Sequence, residues 1–427
     1  MTWRSLFDKT IMSIAAVSFS ANGRHYSTPD RPVVVVCLDG CADEYLDAAS
    51  SRGLMPNLVR MSIEGFRCMA RGALPSFTNV NNSSIVTGVP PSVHGIGGNF
   101  FYDSTTGQEV MMNSARYLRA GTILAAAAKA GRRVAVVTAK EKLRDIFAHE
   151  LNGIAFSSEK AGLARTETHG IGDVEQLVGK PTPPIYSGEA SLYVLEAGAA
   201  LLRDRRADFL YLSTTDFIQH KFDPDSGGAL EFYAGVDVQL GRLLEWGAVV
   251  GITADHGMNS KQHPDGSPNV LYLETLLVEN FGPGFRVILP ITDPYVVHHG
   301  ALGSFAAVHV PSTASIADVG RWLMDLDGVT EVHTRASAAR KLELPEDRIG
   351  DLAVLSARDV VLGRTPACHD LKAIEGGLRS HGGRYEEMVP LIVSRPLRRE
   401  YLRKAACDPR NFDIFDLTIN GPLVPDC

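Results

Sequence analysis

The sequence predicts an α/β protein, a sheet of buried strands with helices on both faces, interrupted by a smaller α+β block. Three observations carry this reading. "RPVVVVCLDG" (31–40), "RRVAVVTA" (132–139), "DFLYLS" (208–213), "GAVVGITA" (247–254) and "MVPLIVS" (388–394) are continuous apolar runs, as expected of strands covered on both faces of a parallel sheet. Helix-like stretches lie among them, namely "MPNLVRMSIEGF", "TILAAAAKAG", "SLYVLEAGAALLRDRR" and "EFYAGVDVQLGRLLEW"; strands alternating with helices build an α/β sheet. From 264 to 378 the texture changes to shorter strands around one helix, "FRVILP", "GSFAAVHV", "SIADVGRWLMDL", "GVTEVHTR" and "DLAVLSARDVVLG", before a buried strand returns.

At 427 residues the chain exceeds what one core supports. The expected division is a core of 28–263 and 379–427, an inserted α+β cap of 264–378, and an N-terminal segment of 1–27. That segment has a weakly basic start and a semi-apolar stretch, but Asp8 and interspersed serines make it a poor secretory signal, and an ordinary terminus is expected. No stretch has the apolar length of a spanning helix, so no membrane partner is expected. A net charge of −7 without a dense basic run argues against nucleic acid and for small-molecule clients. Cysteines at 37, 41, 68, 368, 407 and 427 contain no C-x-x-C pair and are too sparse for a disulfide scaffold. A reducing, cytoplasmic location fits them. A homodimer is the expected alternative to a monomer.

Ligands gather beyond the carboxyl ends of the strands of an α/β sheet, and there the polar residues are concentrated. Asp39 follows the first run; "DFIQH", with Asp216 and His220, follows "DFLYLSTT"; "DHGM", with Asp255 and His256, follows "GAVVGITA"; "SHGG", with His381, precedes the last strand. Singly, each has an ordinary reading: Asp39 as a turn residue, Asp216 and His220 as a solvated helical pair, His381 as a loop residue. Together, three aspartates and three histidines at one sheet edge offer a donor set that suits zinc or manganese better than calcium or magnesium. Six ligands exceed one tetrahedral ion, so two ions are expected, the arrangement that serves phosphoryl displacement. In "LPSFTNVNNSSIVTG" (74–88), Thr78 stands where a helix begins. A threonine there commonly caps the helix, but helix starts also attract anions. Beside two cations it is the expected nucleophile, because a bound divalent ion lowers the pKa of a hydroxyl.

"LDG" around Asp39, "PSFTNVNNSSIVTG", "PSVHGIGGNFFYD" (91–103), "DFIQHKFDP", "TADHGM" and "HGG" occur in this order along nearly the whole chain. As a set they resemble the alkaline phosphatase superfamily, in its nucleotide pyrophosphatase/phosphodiesterase-like branch. The resemblance implies an alkaline-phosphatase-like sandwich with a mostly parallel central sheet. It also implies two Zn2+ per chain, one held by Asp216, His220 and His381, the other by Asp39, Asp255 and His256 with Thr78. Asn99 in "GGNFFYD" matches the asparagine that holds a phosphoryl oxygen; His94 matches no ligand position and is expected to be structural.

"VVTAKEKLRDIF" bears on the substrate. Lys140 and Lys142 follow a buried strand at i and i+2, which on an extended backbone would send both ammonium groups to one side; the same residues also read as the start of an exposed helix. "TAKEKL", with "LDGC" and "GGNFFYD", is similar to the members of the superfamily that cleave the carbon–phosphorus bond of phosphonoacetate. The resemblance implies zinc-dependent release of acetate and phosphate through a phosphothreonine at Thr78, with Lys140 and Lys142 on the substrate carboxylate. Three rivals follow from the same residues: a nucleotide pyrophosphatase/phosphodiesterase, a phosphoglycerate mutase, which the threonine disfavours, and a metal-stabilised binding module, which leaves the hydroxyl among the ligands unexplained.

Overall fold

All five continuous apolar runs form strands of one seven-stranded sheet in the computed structural model, which describes residues 14–291, 301–374 and 376–423. Across the sheet the strands are Phe66–Arg71, Met388–Val393, Val249–Thr253, Val33–Cys37, Phe209–Ser213, Val134–Thr138 and Ile154–Ser157. Val33–Cys37 pairs in parallel with both neighbours, and the parallel ladder continues to Ile154–Ser157. Along Val33–Cys37, Val34 and Val36 enter one core while Val33, Val35 and Cys37 enter the other, which is why the run has no polar position.

Met388–Val393 runs antiparallel to both of its neighbours. Its start therefore lies at the edge where the parallel strands end, and the residues before it, His381 included, arrive beside Asp39, Asp216 and Asp255. The two outermost strands escape the apolar-run signal. Ile154–Ser157 has four residues, and Phe66–Arg71, "FRCMAR", is half-buried at all but one position. The helix expected to reach Phe66 stops at Glu64. There Gly65 passes so close to the neighbouring strand that a Cβ would stand 2.1 Å from the carbonyl oxygen of Val393.

One face of the sheet carries the long helices Gly188–Arg203 and Gly227–Glu245, each started by a serine whose hydroxyl accepts a backbone N–H of the first turn. The other face carries Thr78–Thr87, Ile123–Lys129 and Ile414–Ile419. Within 264–378 a second, wholly antiparallel sheet is ordered Arg286–Ile288, Phe305–His309, Leu352–Ser356, Val329–Thr334. Three helices accompany it, Leu273–Phe281, Ile316–Met324 and Arg335–Lys341, where the sequence pattern showed one. Its apolar cluster includes Leu74, Phe77 and Val80 from the Thr78 segment. Of the N-terminal segment, residues 1–13 lie outside the described residues, as does Cys427. Ser18–Ala21 and Arg24–Ser27 form a hairpin that buries Tyr26 against Phe19, at 5.2 Å between ring centroids. Among the described residues no helix is long and apolar enough to cross a membrane.

The helix Ile414–Ile419 packs onto the sheet at Gly251, where a Cβ would lie 2.0 Å from Thr418 Oγ1 and 3.1 Å from Ile414 Cδ1. Gly251→Val is expected to cost about 1–3 kcal/mol through overpacking, seen as a lower denaturant midpoint with an unchanged slope.

Candidate active site

Asp216 is the cap residue of the short helix Phe217–Lys221, and one turn later His220 donates its backbone N–H to the Asp216 carbonyl at 3.0 Å. That turn brings His220 Nε2 to 3.1 Å from Asp216 Oδ2, and His381 Nε2 stands 3.7 Å from the same oxygen. These three residues form one buried group that could hold a metal ion.

Asp39, Asp255 and His256 form a second buried group of that kind. Asp39 leaves its strand with its N–H on Thr214 Oγ1 at 2.9 Å. The next residue must be glycine, because Gly40 has φ +72° and a Cβ there would lie 2.9 Å from Asp216 Cβ. Asp255 Oδ1 accepts the N–H groups of Gly40 at 3.1 Å and His256 at 3.0 Å, while its Oδ2 accepts Asn82 Nδ2 at 3.0 Å. His256 Nε2 lies 3.3 Å from Asp39 Oδ1. The groups adjoin, since the rings of His256 and His381 stack at 3.5 Å between centroids and 6° between planes.

The histidines share one hydrogen-bonding arrangement. Nδ1 faces a backbone carbonyl in each: Arg379 O at 2.8 Å for His220, Gly257 O at 2.9 Å for His256, Ser76 O at 2.7 Å for His381. A carbonyl accepts only, so Nδ1 carries the proton and the lone pair of the neutral ring sits on Nε2. Every Nε2 is thus turned toward a carboxylate oxygen, an arrangement that needs either a second proton or a cation between them. Asp39 Oδ1 is buried without a hydrogen-bond donor, and the protein's own groups show the same demand for positive charge. Burial, then Asp39, raise Asp255 well above the usual carboxylate range. Burial opposes protonation of His256, yet Asp255 and Asp39 outweigh it and lift the imidazole to about 9. Burial, then His256 and His220, depress His381 well below the ordinary histidine range. The residues fit a dinuclear metal site.

Thr78 opens the helix Thr78–Thr87, and its Oγ1 is 3.4 Å from His256 Nε2. Asn99 is tied to the same turn, its Oδ1 accepting the N–H of Asn79 at 3.2 Å, which commits the side-chain oxygen and leaves the amide nitrogen as the donor. Lys140 Nζ bonds Asp216 Oδ1 at 2.9 Å and Asp39 Oδ2 at 3.2 Å, one carboxylate from each group. Burial works against its charge, but Asp216 and Asp39 hold the ammonium above the ordinary lysine range. Of the two geometries open to the lysine pair, the helical one forms. Lys140 is the last extended residue, with φ −105° and ψ 125°, and Lys142 lies in the first turn of the helix Glu141–Phe147, where i and i+2 do not face one another. His94 belongs to neither group; its Nε2 meets Ser84 Oγ at 2.8 Å and its Nδ1 accepts the N–H of Ile96 at 3.1 Å.

Asn82 also belongs to the site, although no motif in the sequence marks it. Its Oδ1 accepts Tyr211 Oη at 2.7 Å and Ser213 Oγ at 3.0 Å, so its Nδ2 is aimed at Asp255. The signal lies in composition instead: "TNVNNSS" is polar on every helical face, which suits neither a core helix nor an amphipathic surface one. The helix is buried throughout.

The family described as type I phosphodiesterase / nucleotide pyrophosphatase matches residues 33–382, a span containing every residue of both groups that could hold a metal ion. The chain belongs to this family. Its fold is similar to that of phosphonoacetate hydrolase from Sinorhizobium meliloti 1021, solved in complex with phosphonoformate and with phosphonoacetate. The identity is 47%, over 95% of this chain and 99% of that one, with a TM-score of 0.91. Among curated proteins, it is 37% identical over 104 residues to an uncharacterized pyrophosphatase/phosphodiesterase of Schizosaccharomyces pombe. It is 27% identical over 217 residues to a venom phosphodiesterase of Naja atra. These matches take in 24% and 50% of this type I phosphodiesterase family chain, but only 20% and 24% of the two relatives' lengths.

Burial depresses the His94 imidazole from its ordinary 6.5 to about 3. Between those values the unfolded chain binds the proton and the native one does not, so stability present above pH 6.5 is lost as pH falls toward 3. Denaturation of the wild type and of His94→Gln at pH 7 and pH 5 should show a smaller loss on acidification in the variant.

Proposed function

We propose that this chain hydrolyses the carbon–phosphorus bond of phosphonoacetate, giving acetate and phosphate. The observation that carries the reading is the ammonium of Lys140, set between a carboxylate of each metal-holding group. It supplies an anchor for a second anionic group beside the phosphorus. Support comes from the identity of 47% over 95% of the chain to the Sinorhizobium hydrolase.

Asp216, His220 and His381 would hold one zinc ion, and Asp39, Asp255 and His256 with Thr78 the other. Bound there, the ions supply positive charge to the phosphonate oxygens and lower the pKa of the adjacent hydroxyl. Thr78 Oγ1, deprotonated, attacks phosphorus as the carbon–phosphorus bond breaks. The bonding pair passes to the methylene carbon and spreads into the carboxylate as an enediolate, which Lys140 stabilises where the charge develops; protonation at carbon then gives acetate. Lys142 is assigned to the same carboxylate on the strength of the sequence resemblance. Asn99 donates its side-chain amide to a phosphoryl oxygen, beside the Thr78 N–H at the helix start. Water hydrolyses the phosphothreonine, returning Thr78 and releasing phosphate.

The block 264–378 we assign as a cap inserted between the portions 28–263 and 379–427 of the core, as its separate antiparallel sheet supports. A cytoplasmic location is supported by Cys37, Cys41, Cys68, Cys368 and Cys407, all free thiols.

Purified protein with zinc should release phosphate from phosphonoacetate and lose that activity on chelation. Cleavage of a nucleotide diester to its nucleoside monophosphate faster than phosphate release from phosphonoacetate would overturn the substrate assignment. Thr78→Ala should abolish turnover with bound metal retained, as measured by elemental analysis. Lys140→Ala should lower kcat/KM for phosphonoacetate by at least about tenfold, a loss of roughly 1.4 kcal/mol of transition-state stabilisation. An aryl phosphate, with no carboxylate to anchor, should suffer much less.

A further inference from the structure

Below the metal-holding groups lies a second charged cluster that the chemistry above does not use. Lys261 and Glu386 are both fully buried, with Lys261 Nζ 2.9 Å from Glu386 Oε1. Glu386 Oε1 also accepts Asn259 Nδ2 at 2.6 Å, and Oε2 accepts the N–H of Gly383 at 3.0 Å. Its backbone carbonyl accepts the N–H of Gly257 at 2.8 Å. Lys261 Nζ donates in addition to the carbonyl of Arg358 at 2.6 Å, and Arg358 Nε donates to Asn259 Oδ1 at 2.9 Å.

The contacts fall on three segments. Gly257, Asn259 and Lys261 belong to the stretch that leaves Asp255 and His256. Gly383 and Glu386 belong to the turn that carries His381. Arg358 follows the strand Leu352–Ser356 of the smaller sheet. A two-residue antiparallel bridge, Asn259 to Ser380 and Ser260 to Arg379, joins the first two segments. A buried ion pair adds little net stability over an apolar pair of the same volume, because desolvation offsets the attraction. What it adds here is direction, since a carboxylate with both oxygens bonded fixes the separation of the groups that reach it.

We infer that Lys261 and Glu386 are positioning residues that set the His256 turn against the His381 turn, and so fix the spacing of the two metal-holding groups. The inference rests on the proposed metal centre. The stacked rings of His256 and His381, at 3.5 Å, are the element whose geometry the pair controls.

Lys261→Met leaves the Glu386 charge buried without its partner, so the double variant Lys261→Met/Glu386→Gln, which removes both charges, is the informative one. Zinc titration by calorimetry and thermal melting of the metal-free protein are followed together. The expected result is a double variant that melts near the wild type but holds zinc about tenfold or more weakly, the scale on which outer hydrogen-bond partners act. Wild-type affinity for both ions in the double variant would overturn the inference while leaving the proposed function standing. A wild-type chain that takes up no zinc would remove the metal centre and this role with it. Should neither charge variant fold, Asn259→Ala, which deletes the hydrogen bond to Glu386 Oε1 and the acceptor of Arg358 Nε without removing a charge, decides: several-fold weaker zinc binding supports the role, and unchanged binding overturns it.

Discussion

Three carboxylates, those of Asp39, Asp216 and Asp255, are buried together at one edge of the central sheet, and burying charge without a counter-charge is among the costliest things a fold can do. Much of the surrounding structure answers that cost. Lys140 reaches in to Asp39 and Asp216, and Asp255 takes three hydrogen bonds from Gly40, His256 and Asn82. His256 is raised toward the protonated form. Even so, Asp39 Oδ1 is left without a donor. A site so short of positive charge is built to receive cations.

Rigidity here comes from backbone rather than from side chains alone. Each site histidine has its Nδ1 proton committed to a main-chain carbonyl, and those carbonyls belong to Ser76, Gly257 and Arg379, residues close in sequence to site residues. Moving one segment therefore disturbs the ring of another. Arg379 illustrates this: its carbonyl orients His220, its guanidinium donates to Gln219 O at 2.9 Å, and its strand leads directly to His381. The Lys261–Glu386 pair extends the same logic one layer outward, from the turns that carry His256 and His381 to the smaller sheet.

The helix Thr78–Thr87 shows how a polar sequence can be a core element. Asn81 exchanges hydrogen bonds with both backbone groups of Ala73, and Asn82 satisfies Tyr211, Ser213 and Asp255 at once. Buried amides partnered at both groups, as those of Asn81 and Asn82 are, specify one geometry, where apolar side chains would tolerate several. The hydroxyl of Thr78 is thus fixed at the start of a helix that has little freedom to shift.

Several things were legible in the sequence alone. Unbroken valine-rich runs announced strands buried on both faces, because such strands have no polar side to show. The polar residues after those runs marked the site, because open α/β sheets place chemistry at strand ends. Asp216 and His220 declared themselves by one helical turn. Other features needed the tertiary structure. That His381 joins the others depends on Met388–Val393 running antiparallel, a pairing choice no local pattern encodes. The tautomers of the three histidines depend on carbonyls distant in sequence for His220 and His381. The lysine pair after "VVTA" fits both a strand and a helix by pattern, and only packing of Leu143, Ile146 and Phe147 into the core settles it as a helix, with Lys140 alone on the last extended step. Residue types and their order set which chemistry the chain carries; long-range pairing sets which of those side chains meet.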